Sequence, residues 1–349
     1  MPFDPTTLSD LSRYARQMRY MHLGEEGQRR LAASRVLICG CGALGSLLAN
    51  TLVRSGVGKV RLVDRDFVEL SNLHRQTLFD EADVAGGLPK AVAAAAKLRR
   101  INSAVEVEPV VAHAGPENIE LLCAGVDLIL DGTDNFETRY LLNDAAVYLN
   151  LPWVFGGCVG AQGQTMTILP GETGCLRCLL PECPAAGSTP TCDTAGVLGT
   201  IVGVIASLQA QEAIKILSGH REAVSRQLTV IDLWENRFLQ LDVRELRDWA
   251  DCSTCKQRQF AWLAGKQGSR AAVLCGRNAV QLTQPGPGVA LDVLAQRLEG
   301  IGRVTRNPYL LRLKVDDYEL AIFPDGRTIV HGTDDPAVAR TLYDKYIGS

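Results

Sequence analysis

Glycines 40, 42 and 45 in "GCGALGS" follow the apolar run Val36–Cys39 and open a helix-forming stretch. The first glycine permits a tight turn, the second lets backbone approach a phosphate closely, and the third lets the helix pack on the strand. The amides at the start of that helix then face an anion. Asp64 comes 19 residues after Gly45, at the end of the next strand run, where a carboxylate can accept from ribose hydroxyls. The pattern predicts a bound nucleotide and by itself leaves NAD, FAD and ATP open; a packing turn with no ligand is the rival reading.

The stretch "DRDFVELSNLHRQ" (64–76) adds Asn72, Arg75 and Gln76, and Lys90 opens a later helix. Two cations near the phosphate end of a cleft suit a reaction that builds negative charge on phosphorus. His74 is expected to pack against the site and not to act as an acid or base. "DGTDN" (131–135) follows another apolar strand, so its carboxylates sit over the ligand crevice. The natural job for Asp134 is to hold Mg²⁺ beside a triphosphate; the alternative is a helix N-cap before Phe136, and one residue can do both.

Four further thiols fall into two CxxC pairs, Cys175 with Cys178 and Cys252 with Cys255. Four thiolates suit a closed, structural zinc site better than a redox dithiol. Cys192 lies at the end of the Pro/Ser/Thr-rich segment 181–196 and just before a helix, a setting that favours the thiolate. Cys183 in the same segment is a partner or a bystander. Cys39, Cys41, Cys123, Cys158 and Cys275 read as small buried or half-buried residues.

These residues must be positioned by strands at 36–39, 59–63, 105–112 and 127–131 alternating with helices at 45–54, 89–100 and 136–148. That alternation predicts a doubly wound, Rossmann-like, mostly parallel α/β sheet. Two glycine-divided strands in 152–169 and two more in 226–243 add an antiparallel part, with a long helix ending near Leu217. Beyond about residue 265 a strand over 271–282, a "PGPG" loop, a helix over 291–298, hairpins near 316–317 and 324–326, and a helix from Pro336 to about Tyr346 predict a small α+β module. The expected domains are therefore 1–265 and 266–349. With 46% hydrophobic residues the chain can bury a full core, and a net charge of −3 supplies no basic field for nucleic acid. The first residues lack the apolar core of a signal peptide, and 195–217 is too interrupted by Gly, Gln, Glu and Lys for a membrane span. An odd count of 11 cysteines argues for reduced thiols and a cytoplasmic protein.

Taken together, "RYARQ" (13–17), "GCGALGS", "DRDFVELSNLHRQ", "GLPKA" (87–91), "DGTDN" and the CxxC pairs make residues 9–258 resemble the ThiF/MoeB/HesA family, adenylyltransferases related to ubiquitin-activating enzymes. The resemblance selects ATP. It implies that Asp64 binds ribose, that Asn72, Arg75 and Lys90 contact phosphates, and that Asp134 positions Mg²⁺. It implies that Arg16 crosses a homodimer to the partner's γ-phosphate, and it agrees with structural zinc on the four paired cysteines. The substrate it implies is the C-terminal Gly-Gly carboxylate of a ubiquitin-like sulfur-carrier protein (ThiS- or MoaD-like), activated as an acyl-adenylate for sulfur transfer in thiamine or molybdopterin biosynthesis. Cys192 then serves as an acyl-persulfide or thioester residue, or is dispensable. Three rivals stand beside this: a peptide C-terminus or modified tRNA base as acceptor, an NAD- or FAD-linked oxidoreductase, and a non-catalytic binding module. Residues from 266 lack the sequence of a rhodanese loop, and a docking or dimer-stabilising role is expected for them.

Overall fold

The computed structural model describes residues 11–185, 188–249, 251–267, 271–274, 278–282 and 288–348. The chain forms two compact units, the first up to residue 267 and the second from 268 onward together with 193–195. In the first unit, strands β1 (Arg35–Cys39), β2 (Lys59–Val63), β3 (Glu106–Val110), β4 (Leu128–Asp131), β5 (Trp153–Val159), β6 (Gln162–Ile168), β7 (Gln227–Asp232) and β8 (Arg237–Asp242) build one sheet. Its order is β3-β2-β1-β4-β5-β6-β7-β8. The pairs from β3 to β5 are parallel, and those from β5 to β8 antiparallel.

Chain order runs outward from β1 to β3 and then returns to β4 on the other side of β1. A crevice opens where the direction reverses, at the carboxyl ends of β1 and β4. The helices that flank it are α1 (Ala43–Ser55), α2 (Lys90–Ile101), α3 (Phe136–Leu149) and α4 (Gly199–Leu217). Val36, Ile38, Val60, Leu62, Leu128 and Leu130 meet α1, α2 and α4 on one face, while Leu37, Ile129, Trp153 and Phe155 meet α3 on the other. Burial on both faces explains why these strands read as continuous apolar runs.

α4 is long and apolar enough to cross a membrane. Its Ile201, Val202, Ile205, Ala206, Gln209, Ala210 and Ala213 are instead buried in the first unit, as in a core helix. It starts at Gly199, so Cys192 does not directly precede it: Cys192 begins a separate one-turn helix, Cys192–Ala195.

The second unit is a six-stranded antiparallel sheet, order β11-β12-β13-β14-β10-β9. Its strands are β9 (Ala271–Leu274), β10 (Ala279–Leu282), β11 (Arg303–Asn307), β12 (Leu310–Val315), β13 (Tyr318–Ile322) and β14 (Thr328–His331). Helices α5 (Leu291–Leu298) and α6 (Pro336–Tyr346) cover it through Leu294, Leu298, Ala339 and Tyr343. The expected single strand over 271–282 is two antiparallel strands, and β11 is an addition to the sequence reading. Cys275 and most of the "PGPG" segment lie outside the described residues.

Candidate nucleotide crevice and thiol cluster

The glycine turn is built by backbone contact. Gly40 has φ +88° and packs on Gly132: a Cβ on Gly40 would lie 2.5 Å from the Gly132 carbonyl oxygen. A Cβ on Gly45 would lie 1.8 Å from the Gly40 carbonyl oxygen, so β1, the start of α1 and the loop after β4 close on one another. Gly42 differs. Nothing stands nearer to its missing Cβ than Gln76 Nε2, at 3.8 Å, which leaves the face of the turn open to a ligand.

Asp64 ends up beside the turn because β2 pairs with β1 in register, Val63 opposite Cys39. Its carboxylate accepts from the Cys41 amide at 2.6 Å and the Asp66 amide at 2.7 Å. Burial raises its pKa above the ordinary aspartate value, with Lys90 pulling the other way. Lys90 is buried at the first turn of α2, 3.4 Å from Asp66. Asn72 is buried and its side chain caps Glu69, accepting from the Glu69 amide at 3.3 Å. Arg75 is half-buried and donates to the Ser71 carbonyl at 2.9 Å, with no ion pair among the described residues. A cation without a carboxylate partner is free to meet an anion. His74 is exposed, 3.4 Å from Arg75, and does not pack into the site as expected.

Across the crevice, Asp131 is fully buried and bonds Arg139 Nε at 3.2 Å. Asn135, not Asp134, caps α3, accepting from the Thr138 amide at 2.8 Å. The N-cap alternative for Asp134 is thereby removed. Its exposed carboxylate makes no hydrogen bond or ion pair among the described residues. A hard divalent cation takes oxygen donors of this kind.

Cys175, Cys178, Cys252 and Cys255 converge with their sulfurs within 4.8 Å of one another. Three separations are 3.4, 3.5 and 3.9 Å. A tetrahedron with Zn–S bonds of ~2.3 Å has edges of about 3.8 Å, so the cluster fits zinc with no fifth place for a substrate. Hydrogen bonds from Cys175 and Cys178 hold the Cys255 thiol down at about 7. Asn143 supports the site from α3, reaching Cys175 Sγ and the Leu176 amide.

The ThiF family model matches residues 14–254. The chain belongs to the ThiF family. The sulfur carrier protein ThiS adenylyltransferase of Bacillus subtilis is 44% identical over 338 residues, 96% of this chain and 99% of its own length. The SAMP-activating enzyme E1 of Haloferax volcanii is 41% identical over 247 residues, 71% of this chain and 89% of its own. Among solved structures, Escherichia coli MccB with ATP superposes with a TM-score of 0.59 at 25% identity, covering 70% of this chain and 73% of that one. The Bacillus relative thus aligns through the second unit as well as the first.

In this ThiF-family chain Arg16 does not join its own crevice. Tyr14 accepts from Asn102 at 2.8 Å and Gln17 donates to the Ser55 carbonyl at 3.0 Å. Those contacts pin the segment at the C-terminal ends of α1 and α2, whereas Gly42 and Lys90 stand at their N-terminal ends. The 13 residues of α1 put about 20 Å between the two ends. Cys192 is half-buried and donates to the Cys158 carbonyl at 3.1 Å. Since β5 runs parallel to β4, this places it along the same sheet edge as the crevice. Burial pushes the Cys158 thiol up to about 12 and Cys183 up to about 11. Cys39, Cys41 and Cys123 are buried as expected.

Two contributors escaped sequence reasoning. Arg139 is buried under the crevice, and Gln209 of α4 donates to the Asp131 carbonyl at 2.9 Å. Gln209 is the one polar residue among the buried positions of α4, which is the signal that could have exposed it; Arg139 shares its buried helix with Thr138, Asn143 and Asp144 and carries no such signal.

Proposed function

We propose that this chain is an ATP-dependent adenylyltransferase that activates the C-terminal Gly-Gly carboxylate of a ubiquitin-like sulfur-carrier protein. The observation that carries the reading is the convergence on one crevice of an open glycine turn, Lys90, and, among the described residues, an Arg75 with no ion pair and an Asp134 carboxylate with no bond. The near full-length kinship with a ThiS adenylyltransferase supports it. A nicotinamide or flavin reading would leave Arg75, Lys90 and Asp134 without work.

In the reaction a carboxylate oxygen of the carrier attacks the α-phosphorus of ATP, the bond to the β-phosphate oxygen breaks, and pyrophosphate leaves. A terminal carboxyl with a pKa of about 3.5 is already ionised at neutral pH, so no general base is required. Catalysis is alignment and charge neutralisation. Asp64 takes the ribose, Gly40, Gly42 and Gly45 take the phosphates against the start of α1, and Asn72, Arg75 and Lys90 gather the charge that develops on them. Mg²⁺ held by Asp134 would neutralise the triphosphate further.

Arg16 is assigned to the crevice of a second copy in a homodimer, which its distance from its own crevice supports. The cysteine cluster is assigned to zinc as a structural staple. Cys192 is the residue assigned to receive or deliver the activated acyl group in sulfur transfer, and the reduced thiols fit a cytoplasmic setting. The 266–349 module is assigned a docking or dimer-supporting role.

The test incubates the protein with a small carrier ending in Gly-Gly, ATP and Mg²⁺. Carrier-dependent exchange of labelled pyrophosphate into ATP and an AMP adduct on the carrier by mass spectrometry are expected. No exchange with any such carrier, alongside a redox change in added nicotinamide or flavin, would overturn the reading.

A further inference from the structure

The crevice presents Asp134 from a loop whose other groups are tied down. The Asp131 carboxylate accepts from the Thr133 amide at 2.9 Å and the Thr133 hydroxyl at 2.7 Å. The Gly132 amide donates to the Cys39 carbonyl at 2.8 Å, and Asn135 caps α3. Beneath them lies Arg139, buried at 7% exposure. Its Nε meets Asp131 at 3.2 Å, and its Nη2 donates to the carbonyls of Thr133 at 2.8 Å and Gly156 at 3.1 Å. The rings of Phe136 and Phe155 each lie 5.4 Å from it. A Cβ on Gly157 would stand 3.2 Å from Nη2, so β5 carries glycine where the guanidinium needs room.

A buried ion pair is a poor device for stability alone, because apolar residues of the same volume often do as well or better. This one ends on the carbonyl of the residue immediately before Asp134. We propose that Arg139 is a positioning residue: it fixes the backbone of 131–135, through Asp131 and the Thr133 carbonyl, so that the Asp134 carboxylate is aimed at the nucleotide's divalent cation, which Arg139 itself does not touch. The inference rests on the adenylyltransferase reading above. Lysine would keep the charge but lose the planar fork that serves three acceptors at once.

The experiment measures Mn²⁺, as a probe for Mg²⁺, by loss of its free electron paramagnetic resonance signal in the presence of a non-hydrolysable ATP analogue. Arg139→Lys is expected to weaken Mn²⁺ at least about tenfold, as loss of groups supporting a metal ligand commonly does. Affinity for the analogue without metal should stay within about twofold of wild type, and Asp134→Asn should weaken Mn²⁺ at least as much. Because a lone buried charge can unfold a protein, Gly157→Ala provides a milder nudge to the guanidinium and should weaken Mn²⁺ by a smaller factor with the fold intact. A merely structural role predicts lower Tm with unchanged Mn²⁺ affinity in the folded fraction. That result, in either Arg139→Lys or Gly157→Ala, overturns the proposal while Asp134→Asn still confirms the metal site. Wild-type protein that binds neither analogue nor Mn²⁺ sinks the adenylyltransferase reading and this inference with it.

Discussion

Gly42 and Gly45 share one turn, yet the structure gives them opposite fates on substitution. A Cβ on Gly45 falls 1.8 Å from the Gly40 carbonyl oxygen, while one on Gly42 finds its nearest neighbour at 3.8 Å. Heavy atoms sit comfortably at about 3.5–4.0 Å, so Gly45→Ala demands a backbone shift of more than about 1 Å. That should cost at least the ~3 kcal/mol at the upper end of ordinary overpacking, a fall of about 6 °C or more in Tm. Gly42→Ala should fold normally, within about 0.5 kcal/mol of wild type. Its methyl group, however, stands where a phosphate would approach the turn. Losing one hydrogen bond to a charged group removes about 1.5–3 kcal/mol, which is a ~10- to 150-fold weaker Kd for ATP. Calorimetric titration with ATP and Mg²⁺, paired with thermal melts, separates the two effects. If Gly42→Ala binds ATP as tightly as wild type, the phosphates do not lie over the turn and the nucleotide argument fails. If Gly45→Ala melts with wild type, the close-approach argument fails.

Three other perturbations test separate parts of the account. Arg16→Ala and Arg75→Ala, each inactive alone, should regain partial pyrophosphate exchange when mixed, because a hybrid dimer holds one complete crevice; no recovery after demonstrated subunit exchange counts against Arg16 acting across the dimer. Elemental analysis should find about one zinc per chain, and stripping it with a strong chelator should lower Tm; a stable protein free of metal would refute the staple. Asp80 accepts from the Ala82 amide at 3.0 Å, and its bond from Lys97 holds its carboxyl below the usual value. A carboxyl depressed on folding adds stability above its unfolded pKa of ~3.9 and loses it as pH falls through the lower folded value. Melts from pH 5 downward should therefore show wild type losing more Tm than Asp80→Asn, and parallel losses would contradict the pairing.

Four of the residues assigned to the nucleotide were legible as a group because each abuts an element end that the sequence marks. Gly40 follows β1, Asp64 follows β2, Lys90 opens α2 after Pro89, and Asp134 lies between β4 and α3. The chemistry of such residues is local in the chain, and the parallel topology brings all the strand ends to one edge. The thiol cluster was legible for a different reason: four sulfurs with metal-ligand spacing must meet or waste their chemistry, even with 77 residues between the pairs. What stayed hidden is the clamp under the crevice. Gln209 reaches Asp131 across 78 residues, and in sequence it served only to break an apolar run. Arg139 sits on a helix buried on nearly every side, where an arginine ordinarily reads as the solvent face. The choice between Asp134 and Asn135 as helix cap likewise turned on one residue of register, finer than periodicity resolves. In the second unit the 271–282 segment concealed a reversal, because its apolar pattern continues on both sides of the turn. The residues assigned to chemistry are thus marked by their own type and position. The buried polar groups beneath them are chosen by packing, and only the folded chain reveals which of these the core has admitted.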